Sequence, residues 1–251
     1  TRVNHVTSAS EFGWRPGSAK WPEYFADSNG AVINMGPGSP TGISFGHHSN
    51  FPAPYQDKLF ICDWTFGSIY LIDMEEHGSS YVGTKTEFLN GQPLNISAMR
   101  FGPDGHMYFL VGGRNTDSRL YRIKYVGPSQ KGAGKRLVAN QDLRDLRHSL
   151  EVFHGNPHAG NQAITMAWPH LSHPDRNVRY AARLAIENQP VSLWQERVLR
   201  EEDQRALIHA SIALCRHGDP SLSHRILKKL NQIPFDSLAA EDQLALLRAY
   251  S

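Results

Sequence analysis

Cysteine is scarce in this chain, with Cys62 and Cys215 the two among 251 residues. A disulfide-stapled scaffold is excluded, because such scaffolds replace a missing core with several bridges. The two residues fall in stretches of different hydrophobic period, so they are expected as separate buried thiols. Long apolar runs are missing too: none approaches the roughly 20 residues that cross a bilayer. The chain opens at Thr1 with neither an initiator Met nor a charged-then-apolar leader, which reads as a fragment of a longer protein. No sign of charge dominates, since 26 Lys and Arg stand against 24 Asp and Glu. Without a basic run interleaved with aromatics, nucleic acid is not an expected partner.

Familiar catalytic signatures are absent as well. There is no Walker loop, no nucleophile elbow, no dinucleotide fingerprint and no Cys-x-x-Cys-His haem attachment site. The 13 histidines form no metal set by spacing. His154 and His158 stand four apart, but Gly155 and Pro157 between them break the helix that would align them. His47 and His48 point to opposite sides of a strand end, and His170 and His173 flank a turn. No metal site follows from these positions.

What is present begins with an internal repeat. Residues 41–46, 58–63, 67–73 and 80–88 are short runs rich in β-branched and aromatic residues, separated by turn chemistry. Residues 96–102, 106–111 and 118–126 repeat the order, with Pro103, Asp104 and Gly105 as one of the turns. Aligning Thr41 with Ile96, Lys58 with His106 and Gly67 with Ser118 gives a period close to that of a propeller blade. Residues 2–6 also alternate like a strand. The Gly-, Pro- and Ser-rich stretch 16–40 is expected to pack over one face of the strands.

In a blade, the loop leading into the first strand and the loop between the second and third strands lie on one face. Those loops bring Asp63, Trp64, Gln92, Asn95, Arg114, Asn115 and Asp117 towards one mouth, where a ligand pocket is expected. Each residue also has a local reading. Asp63 and Asp117 sit where turn residues sit, and Arg114 is placed to pair with Asp117.

Apolar periodicity vanishes over residues 127–137, which read as a linker. Beyond it the period changes from 2 to 3.6. Helices are expected over 142–153, 175–189, 191–200, 203–217, 220–232 and 239–250, forming a stack of antiparallel pairs. The fold class is therefore mixed: a partial β-propeller of about two to three blades over 1–126, then an α-helical repeat array over 138–251.

Residues 175–184, with Asp175, Val178, Ala181 and Ala182 at their spacing, resemble the second helix of a HEAT repeat. The strand half resembles the C-terminal part of the six-bladed soluble quinoprotein glucose and sorbosone dehydrogenase propeller. Asn4 to Val6 with Phe12 to Trp14, Lys58 to Ile61 with Gly67 to Tyr70, and Phe101 to Tyr108 carry that resemblance. The order of blades, then Val111 to Arg114, then Ala167 to Leu171 within helices, is similar to large secreted planctomycete-type proteins labelled membrane-bound dehydrogenases. Those often continue into a haem c domain.

The resemblance implies a periplasmic or secreted oxidoreductase passing electrons from a carbohydrate or small alcohol to haem c outside this segment. It implies pyrroloquinoline quinone and Ca²⁺ over the loops, although no cofactor is evident in the segment itself. The quinone is a polycarboxylate and needs cationic anchors. Where the family carries a lysine before Gly67 this sequence has Thr65 and Phe66, and in place of its paired arginines it has Asn95 and Ser97. Arg114 is the cation these loops offer. The rival reading, which the missing cationic anchors favour, is a non-catalytic carbohydrate- or protein-binding propeller whose HEAT-like helices dock protein partners or other domains.

Overall fold

Alternation of period two is realised as antiparallel sheets. The computed structural model describes residues 1–14, 21–113, 115–128 and 139–251. A two-stranded ribbon pairs β1 (Arg2–Val3) with β2 (Ile33–Asn34). A four-stranded meander follows, of β3 (Pro40–Phe45), β4 (Leu59–Asp63), β5 (Ser68–His77) and β6 (Ser80–Asn90), with the short helix α1 (Ala53–Gln56) between its first two strands. A three-stranded meander is built from β7 (Ile96–Phe101), β8 (Met107–Gly113) and β9 (Thr116–Ile123). Among the described residues no sheet closes on itself.

The sequence repeat is visible in the packing. All five residues of β4 are buried, as befits a central strand covered on both faces. Phe60 and Cys62 point to one side and join Ile69, Ile96, Met99, Met107 and Phe109 in a core between the larger sheets. Leu59 and Ile61 point to the other side, where Met35, Val3 and Ile33 of the ribbon region cover them. In β8 the residues aligned with Leu59 and Ile61 are Met107 and Phe109, and they too face the preceding sheet. The first strands of the two sheets lie against one another: Thr41 Oγ1 donates to Ile96 O at 2.6 Å, and a Cβ on Gly42 would stand 3.0 Å from Met99 N.

The change to a 3.6-residue period gives α2 (Gln141–Glu151), α3 (Asn161–Ala167), α4 (Arg176–Glu187), α5 (Gln195–Arg200), α6 (Gln204–His217), α7 (Ser223–Leu230) and α8 (Ala240–Tyr250). α2, α4, α6 and α8 pack in succession, while α3 lies on α4, and α5 and α7 lie on α6. Ala181, Ala182 and Ala185 let α4 approach its neighbours closely within the common core, together with Val178, Leu150 and Ile208. Asp175 starts α4 by accepting from Val178 N at 2.8 Å, and Asp203 starts α6 by accepting from Ala206 N at 2.8 Å. The expected runs 191–200 and 220–232 each open with a 3₁₀ turn before their helix. α3 went unpredicted because Gly160 and Pro169 close it in after seven residues.

Contacts divide the chain into two compact units. One comprises Thr1–Asn4, Ala31–His77 and Tyr81–Ala139; the other comprises His5–Gly30, Gly78–Ser80 and Asn140–Ser251. The expected boundary at 126 thus differs from the observed partition, because His5–Gly30 packs with the helices rather than the strands. The physical reason is its bonding: it offers carbonyls and carboxylates to side chains of α4, α6 and α8 instead of backbone to a sheet edge. Of the expected linker, residues 129–137 lie outside the described residues. Both cysteines are free, Cys62 buried as expected and Cys215, expected buried, exposed near the C-terminal end of α6.

Candidate functional site

Within the strand unit the turn between β4 and β5 is built by its own polar groups. Phe66 N donates to Asp63 Oδ1 at 2.9 Å, an Asx-type closure. Trp64 N donates to Ser39 O at 2.9 Å, and Thr65 Oγ1 donates to Ser39 Oγ at 2.9 Å. Gly67 follows at φ +62 with the Gly91 carbonyl where a Cβ would stand, so a side chain there meets both strain and collision. Gly91 N then donates to Gly67 O at 3.1 Å, tying the next connection to this turn.

From that base Trp64 reaches across to the second sheet. Its indole Nε1 donates to Gly112 O at 2.8 Å. Asn95 Nδ2 donates to Trp64 O at 2.9 Å, while Gly112 N donates to Asn95 O at 3.0 Å. The register of β8 against β9 shifts between Val111 and Gly113, a bulge that turns the strand and brings Gly113 against the indole ring. An open groove of about 720 Å³ results, lined by Trp64, Ser97, Leu110, Val111, Gly112, Gly113 and Ser118.

The expected site residues are thus divided. Trp64 lines the groove, and Asn95 braces it from behind. Asp63 is buried and committed to its turn. Asn115 holds a left-handed conformation at φ +60 in the β8–β9 turn, and Asp117 pairs with Arg119 at 3.6 Å on the exposed surface. Gln92 is exposed in the β6–β7 connection. Arg114 lies outside the described residues. Ser97, noted in the sequence in place of an arginine, lines the groove, as do Leu110 and Ser118, which sequence reasoning did not propose for the site; the signal for those two is the Gly112–Gly113 pair, which marks a bulge beside an outward-facing Leu110.

Chemically, the described lining offers an aromatic ring, aliphatic surface, glycine backbone and two hydroxyls, with no charged side chain. That described lining supplies none of the cationic partners that a polycarboxylate quinone requires. Among the described residues no three His, Cys, Asp or Glu side chains are grouped to hold a metal ion. Two of the histidines considered by spacing have local partners: His154 bonds Ser8 Oγ at 2.9 Å and Ala181 O at 2.9 Å, and His173 Nδ1 accepts from Asp175 N at 3.0 Å.

No helix among the described residues is long and apolar enough to cross a membrane. No family model matches the chain, and neither a curated protein nor a solved structure matches it.

Proposed function

We propose that this chain contributes two blades of a β-propeller whose Trp64 groove binds a neutral carbohydrate without oxidising it, joined to a HEAT-like helical array that serves as an assembly surface. The observation that carries the reading is the groove's composition: an indole face beside Leu110, hydroxyls of Ser97 and Ser118 at the rim, and no charge among the described lining residues. Sugar rings present C–H faces that stack on indoles and hydroxyls that exchange hydrogen bonds with serines and backbone. A neutral groove suits such a ligand, whereas anionic ligands would lose hydration without gaining a counter-charge.

Support for the blades comes from the consecutive meanders, the adjacency of their first strands and the matched facing of Leu59 and Ile61 with Met107 and Phe109. Support for the array comes from the successive packing of α2, α4, α6 and α8.

Calorimetric titration with a panel of neutral oligosaccharides tests the proposal. Saturable binding is expected, weakened at least about tenfold by Trp64→Ala, which corresponds to a loss of ~1.4 kcal/mol. Unchanged binding in Trp64→Ala contradicts it. Sugar-dependent dye reduction after adding pyrroloquinoline quinone and Ca²⁺ would instead establish the dehydrogenase that the blade resemblance implies.

A further inference from the structure

Within the helical unit, residues 21–30 form no helix or strand, yet they are held as a ligand is held. Asp27 is 1% exposed. Arg248 of α8 grips it with both edges of its guanidinium, Nε to Oδ1 at 2.9 Å and Nη2 to Oδ2 at 2.9 Å. Arg216 of α6 adds Nη1 to Oδ2 at 3.1 Å. The same Arg248 lies over the rings of Trp21 and Phe25, 4.6 Å from each centroid. Arg176 of α4 gathers the backbone, its Nη2 donating to the carbonyls of Glu23, Phe25 and Ser28, the last two at 2.8 and 2.7 Å. Three helices therefore read one turn through a carboxylate, two aromatic faces and its main chain.

Charge-assisted, bidentate and stacked arginine contacts are how proteins recognise acidic peptides. Burial pushes the Asp27 carboxyl up, but the hydrogen bond and field of Arg248, with Arg183 and Arg216 behind it, hold it below the usual carboxylate range. The carboxylate is accordingly charged at neutral pH. Residues 21–30 are the end of the stretch His5–Gly30 that belongs to the helical unit, while Ala31–His77 belongs to the other; besides the arginine contacts, Ala26 of the segment packs against the helical core.

We infer that the Arg176, Arg216 and Arg248 face of α4, α6 and α8 is a peptide-recognition site for an acidic turn with aromatic residues six and two positions before its Asp, and that residues 21–30 are its resident ligand in cis. Release of that segment opens the site to the same motif in trans.

The test uses the full chain carrying Asp27→Asn, which weakens the resident segment, and a fluorescent peptide of residues 21–30 as probe. Saturable binding is expected, with the Asp27→Asn peptide at least about tenfold weaker and the unsubstituted chain binding far less because its site is filled. A folded Asp27→Asn chain that does not bind the peptide, or binds both peptides alike, overturns the inference. Should that variant fail to fold, the chain with Trp21→Ala and Phe25→Ala carries the same comparison. If neither variant folds, the segment is core rather than ligand and the inference is likewise overturned.

Discussion

At the scale of single residues, a few polar side chains carry more structure than their neighbours. Asp175 is one: besides capping α4 it accepts from Ser79 N at 2.9 Å and from Ser79 Oγ at 2.6 Å. Gly78 must remain glycine, because at φ +56 a Cβ would collide with the Asp175 carboxylate. Asp175→Ala removes the cap and strands the Ser79 donors, so a loss of about 2–3 kcal/mol is expected in urea melts followed by helical circular dichroism. Asp175→Asn, which keeps an acceptor oxygen, should lose less than half of that; equal losses would show that the cap is incidental.

His209 is a second such residue. It is buried in α6, where desolvation and then the positive fields of Arg179, Arg183, Arg205 and Arg176 hold its pKa well below the ordinary 6.5. The folded imidazole therefore stays neutral while the unfolded one takes a proton below that value. Unfolding then binds protons, so stability is complete above pH 6.5 and falls as pH drops beneath it, by up to about 1.4 kcal/mol per pH unit. His154 and His5 are shifted downwards as well, burial being the first cause in each. Melting midpoints measured between pH 7.5 and 5.0 should fall, and His209→Gln should flatten part of that slope. A slope unchanged in His209→Gln would remove His209 from the account.

At the scale of elements, what periodicity could reveal was largely legible and what loops contribute was not. Strand and helix positions follow from the short apolar runs at β4 and β8 and from the Val178, Ala181, Ala182 and Ala185 stripe of α4. Phe51 shows the limit. It lies outside any strand or helix, so no pattern marks it, yet it is 3% exposed. Its ring meets Phe101 edge-on at 5.7 Å, with Phe60, Phe88 and Tyr55 also around it. Phe51→Ala should cost about 3–5 kcal/mol and broaden the strand-unit amide spectrum; a loss below about 1 kcal/mol would mean the loop merely covers this core.

The candidate site obeyed the same division. Trp64 and Asn95 were visible as loop residues of the right kind, and Asp63 was visible as a turn former, which is the role it takes. The groove itself depends on Trp64 reaching Gly112, 48 positions along the chain, a long-range outcome that spacing does not encode. Residues 21–30 are the clearest case. Their arginine partners lie up to 221 positions away, and a loop-like composition gives no indication of that destination.

At the scale of the whole molecule, each compact unit has its own polar logic. The strand unit uses its polar side chains in turns, and among the described residues the groove beside Trp64 has no charged side chain in its lining. The helical unit buries charge in pairs: Arg183 with Glu187, which also meets Arg216 at 3.4 Å and His217 at 3.2 Å, and Arg205 with Asp242. Breaking one partner of such a pair strands the other charge in the interior, which is strongly destabilising. The proposed recognition of a neutral ligand by the first unit and the inferred recognition of an acidic turn by the second therefore have separate tests.

The most direct test of the central proposal is a ¹⁵N–¹H spectrum of the whole chain during titration with a neutral oligosaccharide identified by calorimetry. The account predicts saturable shifts of the Trp64 indole Nε1–H and of the Ser97, Gly112, Gly113 and Ser118 amides, with the Trp168 and Trp194 indoles of the helical unit unmoved. Shifts confined to other residues, or none at saturating ligand, would contradict a carbohydrate site in this groove.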